Sequence, residues 1–187
     1  MSVQRAPLTD QQIVEALDQA EPGLRKYLWI MERVHQCDVR RDDAFQRTYT
    51  YFYKVRRSDA WRRPYFDLLE HAKTTPMAFS DALRAIHRET GTVAPSFASK
   101  LVATLSPSLP VWDKHVLENL GLKAPYPYQR DRIERCEQTY DELHRRMTSL
   151  VTSGEGQRIC ALFTRRYPNV RVTDMKRVDL VLWRNRA

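Results

Sequence analysis

Glu89–Leu122 reads ETGTVAPSFASKLVATLSPSLPVWDKHVLENLGL. A helix ending near Thr90 is followed by a turn over Gly91–Ala94. Pro95 then suits the first position of a new helix, because its missing N–H costs nothing there. Phe97, Ala98, Leu101, Val102 and Leu105 give that helix its apolar stripe. A proline-rich loop leads to Asp113, which stands where an N-cap carboxylate would accept the first free N–H groups of a further helix. Val116, Leu117 and Leu120 line that helix and Gly121 ends it.

Helical signals continue outward in both directions. Residues 1–8 read as a loose arm. Thr9 and Gln12 have capping-box spacing, and Ile13, Leu17 and Ala20 share one face behind them. Pro22 is expected to begin a second helix, with Leu24, Leu28, Met31 and Val34 or His35 as its stripe. A third helix is expected over about 42–56, with Phe45, Tyr49 and Phe52 inward. Ser58 and Asp59 are cap-type residues, Pro64 suits a first turn, and Thr75-Pro76 reads as another start before Phe79, Leu83 and Ile86. Ile133, Cys136, Tyr140, Leu143, Met147 and Leu150 recur at steps of three and four, a seam that fits packing within the chain or on a second copy as a homodimer. Ile159, Leu162 and Phe163 follow, and Thr173 caps a last helix. The sum is about nine helices, an all-α, compact multi-helix protein. It reads as one domain over 1–187, or as two lobes divided at the Pro/Tyr stretch 124–128.

Composition narrows the function. The 187 residues carry a formal charge of +8 and a pI near 9.6, a balance that suits a polyanionic partner. Cys37, Cys136 and Cys160 are too widely spaced for a metal clip or an iron–sulfur cluster, and reduced thiols in a cytoplasmic protein are expected. No apolar run suggests a signal peptide or a membrane span. The five histidines form no i,i+4 pair, and neither a P-loop nor a G-x-G-x-x-G motif occurs. No metal and no cofactor are therefore expected.

The turn and the Asp113 helix together resemble the helix-hairpin-helix DNA glycosylase superfamily. That family carries a G-V-G-type turn, x-K-T-A in the second hairpin helix, then V-D-x-H-V before the next helix. Thr92-Val93-Ala94-Pro95-Ser96-Phe97-Ala98 falls on the first motif and Val111-Trp112-Asp113-Lys114-His115-Val116 on the second, with one residue inserted or substituted. The resemblance covers about 35 residues. It implies a helix-hairpin-helix fold, DNA as the partner, and Asp113 as the carboxylate that stabilises the sugar cation or activates water. It also implies nucleic-acid contacts from Thr92, Ala94, Ser96, Lys114 and His115. The departures are specific: Thr92 and Ala94 stand where the family has glycine, and Ser96 stands at its nucleophilic lysine. Lys100, one turn later, is the nearest replacement for that lysine.

Two basic clusters accompany these motifs. Lys54, Arg56, Arg57, Arg62 and Arg63 face only Asp59, and Arg56, Arg57, Arg62 and Arg63 are taken as phosphate contacts. From Arg158 onward, eight cations stand against Asp174 and Asp179. Three functions remain open at this point: a DNA-binding relative of the glycosylases without catalysis, an active glycosylase lacking lyase activity, and a helical protein-interaction module.

Overall fold

The computed structural model describes residues 6–185, and within them every regular element is an α-helix. The helices are α1 (Asp10–Arg33), α2 (Asp43–Tyr53), α3 (Asp59–His71), α4 (Phe79–Thr90), α5 (Pro95–Leu105), α6 (Lys114–Asn119), α7 (Arg132–Thr152), α8 (Gly154–Arg166) and α9 (Asp174–Arg184). The N-terminal arm falls partly, and Arg186 wholly, outside the described residues.

Most helix ends obey local chemistry. The Thr9 N–H donates to Gln12 Oε1 at 2.9 Å, and the Gln12 N–H donates back to Thr9 Oγ1 at 3.3 Å, a reciprocal capping box. Asp42, Ser58, Asp113, Ser153 and Thr173 each cap a helix through a side-chain oxygen. Three expected starts are displaced. Pro22 lies inside α1, so the two expected helices are one. Proline removes only its own donor, and the buried stripe Leu24, Tyr27, Ile30 and Val34 carries the helix onward, one step away from the expected Leu28 and Met31. Pro64 is also internal, in α3, and α4 starts at Phe79 rather than at Pro76.

The chain divides into two compact units, Pro22–Ser106 and a discontinuous one made of 1–21 with 107–187. The divisions fall at Glu21/Pro22 and Ser106/Pro107, and Ala124–Tyr128 lies inside the discontinuous unit.

The continuous unit is organised by aromatic packing. Phe45 and Tyr49 of α2 meet Tyr65 and Phe66 of α3 with ring centroids 5.7 to 6.4 Å apart, and all four are buried. Arg33 at the end of α1 donates twice to Asp42 Oδ2, at 3.0 and 2.6 Å. The Phe45 N–H and the Arg33 guanidinium together hold the Asp42 carboxyl below its ordinary range. The connection between α1 and α2 is tied to α3 through Glu70, whose Oε2 accepts from the Val39 N–H at 2.8 Å and from Lys73 Nζ at 2.6 Å.

In the discontinuous unit the expected seam of α7 is covered by its own chain. Cys136, Tyr140, Leu143 and Met147 are buried, and α7 packs on α8 and α9. The Tyr140 hydroxyl donates to Pro110 O at 3.0 Å. Asn119 locks α6 to the end of α9, its Nδ2 donating to His115 O, Leu182 O and Asn185 O at 2.9, 3.1 and 2.7 Å.

Candidate functional site

The turn between α4 and α5 lies where the sequence places it. α4 ends at Gly91, whose φ of 68° is left-handed, and α5 opens at Pro95. Gly91 is needed for that angle alone, since nothing lies within 4 Å of where a Cβ would stand. Thr92 and Ala94 do not adopt positive φ, and Gly91 is the one left-handed residue of the turn. The Thr92 N–H donates to Thr90 Oγ1 at 3.2 Å, and Ala94 is a buried N-cap without a side-chain bond. The Ser96 carbonyl accepts from Ser99 Oγ at 3.0 Å.

A buried hydroxyl chain sets α5 against α2 and α3. Tyr65 donates to Phe97 O at 3.1 Å, so in the 2.8 Å contact between the two phenols Tyr49 must be the donor. Thr104 Oγ1 donates to Lys100 O at 2.7 Å. With all three protons thus assigned, the 3.5 Å contact between Tyr49 and Thr104 has none left. Burial raises both phenols well above their ordinary pKa.

This packing brings Arg57 of the first basic cluster to α5. After α2, Lys54 takes a left-handed φ of 52°, its N–H donating to Thr50 O and Tyr51 O, and Val55 is buried. Arg56 and Arg57 then emerge exposed before the Ser58 cap of α3. The Arg57 guanidinium lies 5.8 Å from the Phe97 ring on the first turn of α5, and 5.6 Å from the Trp61 ring. On the same Phe97 ring stands Lys100 Nζ, 5.1 Å away. Phe97 is therefore flanked by two cations, an arrangement that favours retained charge beside an aromatic surface. Lys100 also donates to Tyr53 O, at 3.1 Å, at the carbonyl end of α2 where the helix dipole favours a cation. Arg62 is bonded to Asp59, whereas Arg56, Arg57 and Arg63 are exposed and pair with no carboxylate among the described residues. Reading the sequence alone missed Phe97 as the link between the first basic cluster and α5. Trp61 is 8% exposed, and its indole N–H is buried without a partner. An aromatic at the start of a hairpin helix, with arginines elsewhere in the chain, was the only available signal.

Asp113, Lys114 and His115 belong to the discontinuous unit. Asp113 caps α6 through Oδ1, which accepts from the His115 N–H at 2.8 Å; its other oxygen has no partner among the described residues. The side chain is half-buried. Lys114 and His115 both turn to Glu118, at 3.7 and 3.3 Å.

The second basic cluster is largely neutralised. Arg158 pairs with Asp10, and Arg166 with Asp18 at 2.8 Å, both partners coming from the far end of the chain. Arg177 pairs with Asp174, and Lys176 with Asp179 at 2.6 Å in a buried contact. Among the expected cations of that stretch, Arg165 and Arg171 are exposed without an ion pair among the described residues. All three cysteines are free, and burial is the first cause that raises each thiol, Cys160 to about 11. No group of three or more metal-ligating side chains exists among the described residues, and no described helix is long and apolar enough to cross a membrane. Comparison of the chain with protein-family models, curated proteins and solved structures returns no match.

Proposed function

We propose that this chain is a DNA-binding protein on a scaffold that resembles the helix-hairpin-helix DNA glycosylases, acting by binding rather than by base excision. One observation carries the reading: Arg57 of the α2–α3 connection, exposed and without a carboxylate partner among the described residues, lies beside the Phe97 ring on the first turn of α5. Guanidinium groups in that position suit phosphate contacts. The absence of lysine at position 96, together with the commitment of Lys100 to the Tyr53 carbonyl, supports binding without Schiff-base chemistry. The test is anisotropy of a labelled duplex across a salt series. Binding is expected to weaken steeply with salt, and Arg56→Ala, Arg57→Ala and Arg63→Ala together are expected to lower the log–log salt slope by about 2–3. An unchanged slope, or no duplex binding at low salt, removes the reading.

A second reading is favoured by Asp113. It uses one carboxylate oxygen as a cap and keeps the other without a partner among the described residues, on a half-buried residue. That supports a glycosylase without lyase activity, in which Asp113 meets the charge developing on the sugar of a base flipped from the stack. Asp113→Asn is expected to abolish base release from damaged duplexes while changing stability by less than about 0.5 kcal/mol, because Asn caps comparably. Full excision by that variant would end the catalytic role.

A further inference from the structure

The stretch Ala124–Arg130, APYPYQR, joins α6 to α7 and is used by neither reading above. Its two tyrosines are the most exposed large apolar side chains described, Tyr126 at 77% and Tyr128 at 97%. A tyrosine ring left in water forfeits its burial energy, so two in one connection call for a reason. The connection is also ordered by its own bonds. The Gln129 N–H donates to Tyr126 O at 3.3 Å, and the Tyr126 N–H donates to Gln129 Oε1 at 3.1 Å. Arg132 Nη1 reaches Pro127 O at 3.5 Å. Pro125 and Pro127 fix φ on either side of Tyr126, so the rings are presented with little backbone freedom left to lose. Exposed Lys123 and Arg130 flank them, and neither pairs with a carboxylate among the described residues.

We propose that Tyr126 and Tyr128 form a stacking platform for unpaired nucleotides, so that the DNA bound by this protein includes single-stranded or unstacked bases. The inference rests on the DNA-binding reading. Exposed rings with an exposed cation on either side in the chain match the two parts of a single strand, π-faces of bases and phosphates. A purely apolar partner would match the rings but not the cations, which is why a nucleic acid is the preferred occupant.

The experiment compares the full chain with Tyr126→Ala/Tyr128→Ala and Tyr126→Phe/Tyr128→Phe. The probes are a labelled single-stranded oligothymidine and a labelled intact duplex. Both tyrosines lie on a surface connection, and a circular dichroism spectrum checks that each variant is folded. Removal of both rings is expected to weaken single-strand binding by on the order of tenfold or more, from the stacking lost per ring. Duplex binding is expected to hold within about twofold, and the phenylalanine variant to bind both probes as the parent does. Equal single-strand affinity in parent and alanine variant overturns this inference alone and leaves the rings to a protein partner. So does a parent that binds duplex but no single strand. A phenylalanine variant as weak as the alanine one overturns stacking in favour of the hydroxyls. A parent that binds neither probe overturns the DNA-binding reading itself.

Discussion

Lys54 is the one non-glycine residue with positive φ among those described, and it closes α2 by offering its N–H to two carbonyls of the last turn. A β-carbon in the left-handed region costs roughly 1–2 kcal/mol, part of which glycine recovers. Lys54→Gly is expected to stabilise the continuous unit by about 0.5–1 kcal/mol, read as a higher urea midpoint at unchanged m-value. The side chain that bears this cost is exposed and cationic and leads into Arg56 and Arg57, so the chemistry retained there is charge. Lys100 illustrates the opposite case. Its ammonium is claimed by the Tyr53 carbonyl and two aromatic rings, Tyr53 and Phe97. Lys100 lies one turn along α5 from Ser96, but its reach is decided by the acceptors packed around it.

At the scale of elements, α7 and α8 approach closely at their junction. Ser153 ends one helix and caps the next, its Oγ accepting from the Gly156 N–H at 3.2 Å. A Cβ on Gly156 would stand 2.1 Å from Leu150 O, 2.7 Å from Val151 O and 2.8 Å from Val151 Cα, all backbone atoms that cannot step aside. Gly156→Ala is expected to cost on the order of 2–3 kcal/mol in chemical denaturation. Gly154→Ala, two residues earlier, meets nothing within 4 Å and is expected to stay within about 0.5 kcal/mol. The pair separates close approach from loss of glycine as such. The hairpin is the contrasting element, because there the glycine serves backbone angle and the helix start serves packing. Phe97 gives α5 a carbonyl for Tyr65 and a ring for Arg57, so one residue connects the buried hydroxyl chain to the basic surface.

At the scale of the whole molecule, one unit is continuous and the other is completed only by residues from both ends of the chain. Pro22 begins the continuous unit, and in a fragment starting there it would occupy a helix N-terminus, where its missing N–H is harmless. The fragment Pro22–Ser106 contains its own buried aromatic core and is expected to fold alone, with a cooperative urea transition followed at 222 nm. A non-cooperative transition would show that its core depends on the rest of the chain. The same long-range closure explains the fate of the basic stretch after Arg158. Arg158 and Arg166 meet Asp10 and Asp18, so charge counted along a window overstates the charge that solvent or a partner would meet.

The sequence by itself determined the all-helical class, the turn between α4 and α5, the Asp113 cap and the apolar seam of α7. Each depends on spacing, caps and turn chemistry within a few residues, which is the range over which backbone hydrogen bonds and helical periodicity operate. Helix continuity through Pro22 lay beyond that range, because an apolar stripe packing on other elements outweighs one missing donor. Only the tertiary structure decided which cations stay unpaired, where the chain divides, and that Phe97 joins Arg57 to the hairpin. Those outcomes depend on pairings between groups far apart in the chain, and Coulomb attraction and ring contact act through space, at distances that spacing along the sequence does not encode.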